Sequence, residues 1–380
     1  MSEPRLDVSV ILPTYNESEN LPQIIPMISA ALRDTNLSHE IVVMDDHSPD
    51  GTYAVALSLA DQFPVRAIDR VGLQRGLSAA VIDGFKAATG TVVAVMDADM
   101  SHPIAVLPDM VKRILDGSTD IAVGSRNVPG GGAVEWPWYR RLISSTAAWL
   151  TFGITPMSDP TTGYMAVRRS VLEFDRYNPI GWKIVLEIVA KHPQADLSEI
   201  PIVFQDRQFG KSKMSLKEQR QYIRHLLRLY DEKWPSLFEF LRFGAVGATG
   251  VIVDTIGSST TIFFLASVFG LQFQSSWAVR ESALILGAAI GFSLALTSNF
   301  FLNRNWSFKH GAKLPLGSSY FRYLLVNSLG LWLRLAVVSV LAFFFTSIPA
   351  LQGINLIGIL VACAFNFVGI KYWAFKKRID

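Results

Sequence analysis

The sequence predicts an α/β domain with a mostly parallel sheet, followed by an all-α transmembrane domain of four helices. Three observations predict this. Short Val- and Ile-rich runs alternate with helix-length patterns from residue 1 to about residue 235. Four apolar stretches then follow, and each is long enough to cross a bilayer core, which takes about 20 residues of helix. Charge thins out in that second half, although the net charge of all 380 residues is only +3. A chain of this length holds two domains.

Residues 8–13 (VSVILP), 40–45 (EIVVMD), 64–69 (PVRAID), 91–97 (TVVAVMD) and 120–125 (DIAVGS) are short and rich in Val and Ile. Strands buried on both faces read this way. Residues 18–33, 52–62, 76–88 and 103–116 carry the intervening helix patterns. In such sheets ligands bind beyond the carboxyl ends of the strands. Asp45, Asp46, Asp97 and Asp99 all stand at such ends, which predicts one site rather than several.

The spans come next, at about 243–268, 282–302, 323–346 and 351–370. Arg304, Lys309, Lys313 and Arg322 lie between the second and third. Lys371, Lys376, Lys377 and Arg378 follow the fourth, and the other two loops carry only Arg280. By the positive-inside rule both termini, the middle loop and the first domain are cytoplasmic. No charged n-region followed by an apolar h-region opens the chain, so no signal peptide is expected. The single cysteine, Cys363, lies in an apolar run and excludes a disulfide framework or a cysteine metal site. Nothing in the composition points to nucleic acid.

Between the domains, Ile223, Leu226, Leu227, Tyr230 and Trp234 recur at helical spacing, and Arg220, Arg224 and Arg228 recur every fourth residue. A basic amphipathic helix beside a span favours the membrane interface over simple packing on the soluble domain. The expected division is therefore 1–214, 215–241 and 242–380.

The membrane part is internally doubled. Residues 299–308 (NFFLNRNWSF) and 366–375 (NFVGIKYWAF) share N-F-x-x-x-[RK]-x-W-x-F, and Arg242, Val246 and Gly250 match Arg322, Val326 and Gly330. The next matched offset holds Asp254 and Arg334. Ionisable groups inside spans are costly and usually paired. The doubling thus predicts that these two face each other across a pseudo-two-fold axis.

Two carboxylates one residue apart, Asp97 and Asp99, repel each other and need a cation. Hard oxygen ligands suit Mg²⁺ or Mn²⁺, held together with substrate phosphates. His102 stands before a proline and reads as a turn residue. Asn16 or Ser18 can cap one helix, and Asp50 or Thr52 the next. Capping does not account for Asp45 and Asp46.

These pieces resemble the inverting nucleotide-sugar glycosyltransferases of the GT-A type. RGLSAAVIDGF (75–85), MDADMSHP (96–103), VGSRNVPGG (123–131), VEWPWYRRLIS (134–144), DPTTGYMAVRR (159–169) and FQDRQFGKSKMS (204–215) come in the order seen in dolichol-phosphate mannose synthases. The membrane part resembles GtrA-like four-helix domains. The resemblance implies that Pro13, Tyr15, Glu17 and Asp46 surround the nucleotide base and ribose. It implies that Asp97 and Asp99 form the metal and diphosphate site, with Ser101 where the family has Gln. Arg126, Arg140 and Ser144 would hold the lipid phosphate, the arginines by paired hydrogen bonds. Arg207 and Lys213 would belong to a basic segment that closes on the phosphates. The implied substrates are GDP-mannose and dolichyl or polyprenyl phosphate, at a bilayer. A glucosyltransferase using UDP-glucose stays open, although the match over 134–144 favours mannose. A processive polysaccharide synthase would carry Q-x-x-R-W, which is absent from the sequence. A non-catalytic membrane protein would not need Asp46, Asp97, Asp99, Arg126 and Arg207 together.

Overall fold

β1 (Val8–Thr14) is buried along its whole length and is an interior strand of the first unit's sheet. Around it are β2 (His39–Asp45), β3 (Val65–Asp69), β4 (Val92–Val95) and β5 (Ile121–Ser125), which the apolar runs predict. The computed structural model describes residues 6–134, 136–178, 180–205, 216–268, 277–308, 314–344 and 348–376. A short pair, β6 (Gly132–Ala133) with β9 (Val203–Phe204), lies apart from the main sheet. β7 (Met165–Arg168) and β8 (Leu197–Pro201) complete the main sheet in the order β3-β2-β1-β4-β7-β5-β8. β7 alone runs antiparallel to its neighbours β4 and β5.

Helices cover both faces. They are α1 (Leu21–Arg33), α2 (Thr52–Leu59), α3 (Leu77–Ala87), α4 (Leu107–Leu115), α5 (Trp138–Trp149), α6 (Ile184–Lys191) and α7 (Leu216–Lys233). Alternate β1 residues serve the two layers: Val10 and Leu12 meet Ile24 and Ile28 of α1, and Ile11 belongs with Val81 and Phe85 of α3. Each fully buried Ile or Leu stabilises the fold by about 2 kcal/mol. Gly84 lets α3 lie directly on β1, because a Cβ there would collide with Ile11. The helix cap at α1 is Asn20, not Asn16 or Ser18. Asn16 instead has φ +61°, and its N–H donates to Ser48 Oγ at 3.0 Å.

α7 falls within the first compact unit, Met1–Lys233. Its Leu226 and Leu229 pack with Leu186 and Ile154. Glu187 of α6 is wholly buried and meets His225 at 3.3 Å, Arg228 at 2.9 Å and Lys191 at 2.8 Å. Burial would raise the Glu187 pKa, but these partners and the Asn178 N–H hold it at about 2. Arg228 therefore faces the soluble domain, while Ile223 and Leu227 are exposed. Tyr222 and Tyr230 donate to the carbonyls of Ala147 and Leu150 at 2.8 and 2.9 Å, which ties α7 to the end of α5. Pro235 then starts a new helix; proline suits the first turn because it lacks an N–H.

The second unit, Trp234–Asp380, holds α8 (Pro235–Val268), α9 (Trp277–Leu302), α10 (Leu316–Phe344) and α11 (Ile348–Gly369). By length and composition, Pro235–Val268, Glu281–Ser307, Leu316–Phe344 and Gln352–Ala374 can each cross a membrane. The doubling is real in three dimensions. α8 packs along α9, and α10 along α11. Asn299 lies against Gly250, and Asn366 against Gly330. Each half ends in a π turn, Asn303–Ser307 and Ile370–Ala374. The turns close with N–H···O bonds of 2.8 Å from Phe308 to Asn303 and 2.9 Å from Phe375 to Ile370.

Asp254 and Arg334 do not pair. Arg334 donates to Asn355 Oδ1 at 2.9 Å, and Asp254 lies on Gly291. Arg334 lies likewise on Gly358. Each ionisable residue packs on a glycine of the partner helix within its own half. The repeat thus places the two residues equivalently but keeps them apart.

Candidate active site

A cavity of about 880 Å³ opens at the carboxyl ends of β1, β2, β4 and β5. Pro13, Tyr15, Glu17 and Asp46 line it, and so do Asp97 and Asp99. Arg126, Arg140 and Ser144 line it as well. Residues that the sequence places in three roles are thus brought to one space. Arg207 and Lys213 lie outside the described residues.

The loops at β1 and β2 are laced together. Asp45 is wholly buried and accepts from Thr14 Oγ1 at 3.0 Å, Ser48 N–H at 2.8 Å and Ser48 Oγ at 2.6 Å. It is a bracket between strands and is not among the cavity-lining residues. Asp46 accepts from the Arg70 guanidinium and from the Gly76 N–H at 2.8 Å. Arg70 is 2% exposed and also reaches Asp83 at 2.7 Å and the Gln74 carbonyl at 2.8 Å. Gly76 has φ +130°, a conformation that a side chain would strain. So Asp46 and Arg70 shape the loop that carries Arg75 and Gly76 to the cavity.

The DxD turn is set by its neighbours. Asp97 N–H donates to His102 Nδ1 at 3.1 Å. An accepting Nδ1 puts the ring proton on Nε2, which lies 4.0 Å from Asp97 Oδ2. Burial lowers the His102 pKa against the opposing pull of Asp97 and Asp99, so the ring is neutral. It stacks on Tyr164 with centroids 4.9 Å apart. His102 is therefore more than a turn residue: it braces Asp97. Met100 adopts φ +60°, and the Ser101 N–H donates to Asp99 Oδ1 at 3.1 Å.

The residues present fit a hard divalent cation. Asp97 and Asp99 offer oxygens only, and Gly163 keeps space open beside them. A Cβ there would lie 3.7 Å from both Asp97 carboxylate oxygens. No cluster of three or more His, Cys, Asp or Glu forms among the described residues. Two carboxylates suit an ion that takes its other ligands from water and phosphate. Ser101 is 1% exposed and is not among the lining residues. Its Oγ has no hydrogen-bond partner among the described residues.

On the same cavity wall, Arg126 grips Asp159 with Nε and Nη2, both at 2.7 Å, and gives Nη2 to Thr161 Oγ1 at 2.6 Å. Burial would raise the Asp159 pKa, but the Arg126 hydrogen bonds and charge hold it below the usual carboxylate value. The Arg126 fork is thus engaged, which leaves Nη1 rather than a full pair of donors for phosphate. Arg126 and Arg140 both lie over Trp136, at 5.0 and 4.3 Å from the ring centre. Lys183, just before α6, donates to the Thr161 carbonyl at 2.6 Å. Burial, then Arg126, lower its pKa to about 8.

Sequence reasoning missed the roles of His102, Trp136, Asp159, Thr161 and Lys183. Trp136, Asp159 and Thr161 stand inside the motifs at 134–144 and 159–169. Lys183 had no signal, because one lysine before an apolar run reads as solvated.

Residues 9–174 match the family model for glycosyl transferase family 2, and residues 242–375 match the GtrA/DPMS transmembrane domain. The dolichol-phosphate mannosyltransferase of Pyrococcus furiosus is 37% identical over 368 residues, 96% of this chain and 97% of that protein. The protein of the same name from Saccharomyces cerevisiae is 35% identical over 254 residues, 63% of this chain and 94% of that protein. That from Mycosarcoma maydis is 33% identical over 255 residues, 64% of this chain and 83% of that protein. The four apolar helices and the GtrA/DPMS match make this an integral membrane protein. Because the likeness to the Pyrococcus protein runs through the GT-A domain and the four spans alike, the chain belongs to the dolichol-phosphate mannosyltransferase family of glycosyltransferases.

Proposed function

We propose that the enzyme transfers mannose from GDP-mannose to dolichyl (polyprenyl) phosphate with inversion, at the cytoplasmic face of a bilayer. The observation that carries this reading is a single cavity with carboxylates on one part of its wall and arginines on another. A sugar diphosphate suits the first, with its nucleoside toward Pro13, Tyr15, Glu17 and the Asp46-braced loop. A lipid phosphate suits the second, at Arg126, Arg140 and Ser144. Asp97 and Asp99, with Ser101 nearby, would hold Mg²⁺ or Mn²⁺, which when bound neutralises charge on the departing diphosphate. Arg207 and Lys213 would add cationic cover.

A phosphate monoester has a second pKa of about 6 and is already an anion at neutral pH. The nucleophile therefore needs no carboxylate to remove a proton. What the protein supplies is position and charge. α5 supports a lipid acceptor: none of its residues is buried, and Trp138, Leu142 and Trp149 stand 76%, 58% and 73% exposed beside Arg140 and Ser144. Exposed aromatics with arginines suit a membrane interface. The positive-inside pattern of the span loops supports the cytoplasmic orientation.

The test offers radiolabelled GDP-mannose and UDP-glucose in parallel to membranes containing the protein, with added polyprenyl phosphate. Label should pass to lipid from GDP-mannose. Transfer from UDP-glucose alone would replace mannose by glucose, and transfer from neither would overturn the reading.

A further inference from the structure

Lys183, in the wall of the cavity, is a cation without a counter-ion among the described residues. Its ammonium has one hydrogen-bond partner, the Thr161 carbonyl at 2.6 Å, and no carboxylate pairs with it among the described residues. Arg126, Asp97 and Asp159 are the charged groups that act on it, and only Arg126 and Asp159 belong to the same knot around Thr161. Asp159 is spent on Arg126, with Thr161 Oγ1 at 2.9 Å. A half-buried ammonium in this position costs free energy until an anion arrives.

The anion's place follows from Thr161. Its Oγ1 accepts from Arg126 and its carbonyl accepts from Lys183, both at 2.6 Å. Two cations anchored on one residue lie within reach of one phosphate. Trp136 adds a third donor. It lines the same cavity beneath Arg126 and Arg140, and its Nε1–H is buried with no hydrogen-bond partner among the described residues. Three unspent donors, Lys183 Nζ–H, Arg126 Nη1–H and Trp136 Nε1–H, therefore line one cavity, two of them anchored on Thr161.

We propose that Lys183 is an acceptor-phosphate-binding residue, which completes with Arg126 and Trp136 a seat for the phosphate monoester of the lipid. This rests on the functional reading above. A point charge with rotatable donors suits this position, because the Arg126 fork is already fixed on Asp159. Lys183 is assigned to the attacking phosphate rather than the nucleotide because it shares its anchor, Thr161, with Arg126.

The test uses the full-length protein in detergent, with a short water-soluble isoprenyl phosphate as acceptor. KM for the acceptor and for GDP-mannose is measured for wild type, Lys183→Met and Lys183→Arg, with thermal unfolding as a control for folding. Loss of a charge-assisted hydrogen bond should raise the acceptor KM of Lys183→Met by about tenfold or more. The donor KM should stay within about twofold, and Lys183→Arg should recover most of the loss. An unmoved acceptor KM in Lys183→Met, or equal rises in both KM values with no recovery in Lys183→Arg, overturns the assignment of Lys183 alone. Wild-type enzyme that transfers sugar to no isoprenyl phosphate overturns the functional reading, and this assignment with it.

Discussion

Arg126 and Asp159 form a buried fork, with Nε and Nη2 each 2.7 Å from a carboxylate oxygen and Asp159 wholly enclosed. The pair aims the guanidinium at the cavity and fixes the turn 159–163 that passes Asp97. Breaking such a pair from one side leaves a buried charge behind and costs about 3–5 kcal/mol. Arg126→Ala strands the wholly buried carboxylate and should lower the unfolding midpoint strongly. Arg126→Lys keeps a charge but loses the fork, so it should raise the acceptor KM with a smaller loss of stability. Thermal unfolding beside acceptor kinetics separates the two effects. Equal stability of Arg126→Ala and wild type would show that the fork holds nothing in place.

Arg140 has a different geometry: it lies over Trp136, and the same ring carries Arg126. Arg140→Lys should raise the KM for lipid phosphate more than that for nucleotide sugar, since lysine neither stacks as a plane nor donates in pairs. Equal effects on both substrates would place Arg140 on the donor side.

Asp97→Ala and Asp99→Ala should each abolish transfer and leave the unfolding midpoint close to wild type, because both lie at the sheet's rim. EDTA should abolish wild-type transfer, with recovery on adding Mg²⁺ or Mn²⁺. Full activity in EDTA would remove the metal from the scheme. His102→Ala should lower activity by loosening Asp97, which its Nδ1 holds through the Asp97 N–H at 3.1 Å.

The pH profile should carry two limbs. The acceptor becomes a dianion above a pKa of about 6. Lys183 has a pKa of about 8, against an ordinary 10.5, because burial and then Arg126 disfavour its charged form, while Asp159 and Asp97 pull the other way. Its charge is present below about pH 8 and lost above it. Acceptor kcat/KM, which reports the free enzyme, should therefore peak between the two values. Stability moves in the opposite sense. The folded state binds this proton more weakly than the unfolded chain, so the cost of burying the ammonium is full below pH 8 and is relieved as pH rises toward 10.5. Lys183→Arg should erase the upper limb. A wild-type profile that stays flat well above pH 8 would contradict this assignment.

Much of this site is legible in the amino-acid sequence. Buried strands announce themselves by apolar runs, and Asp97 and Asp99 follow one of them. β7 and β8 are not legible as strands. β7 lies inside a motif read for its residues, and its antiparallel insertion between β4 and β5 pairs segments about 70 and 45 residues away in the chain. β8 carries Glu199 and Pro201 and shows no apolar run. Lys183 and His102 gain their roles only from tertiary neighbours, Thr161 and Tyr164, that no local pattern supplies. The repeat in the membrane part is legible, but its consequence for Asp254 and Arg334 is not. A repeat fixes equivalence, whereas contact depends on which helix each half packs against.

Gly250 and Gly330 occupy matched positions, and Asn299 and Asn366 fill the space where their Cβ atoms would stand. Both asparagine Oδ1 atoms are buried with no partner among the described residues. The amide therefore fits by shape against the neighbouring backbone, and small residues are what allow helices to approach so closely in a membrane. Gly330→Ala must push Asn366 away and should destabilise the membrane domain by about 1–3 kcal/mol, as overpacking does. Asn366→Ala removes the obstacle. The double variant should then cost much less than the sum of the single ones. Gly250→Ala with Asn299→Ala should behave in the same way, because the two halves share one design. Asp254→Asn with Arg334→Gln should instead be additive, since each residue packs on a glycine of its own half. Thermal unfolding of all the single and double variants in one detergent decides among these. Additivity at Gly330 and Asn366, or strong coupling at Asp254 and Arg334, would mean that the helices pair otherwise.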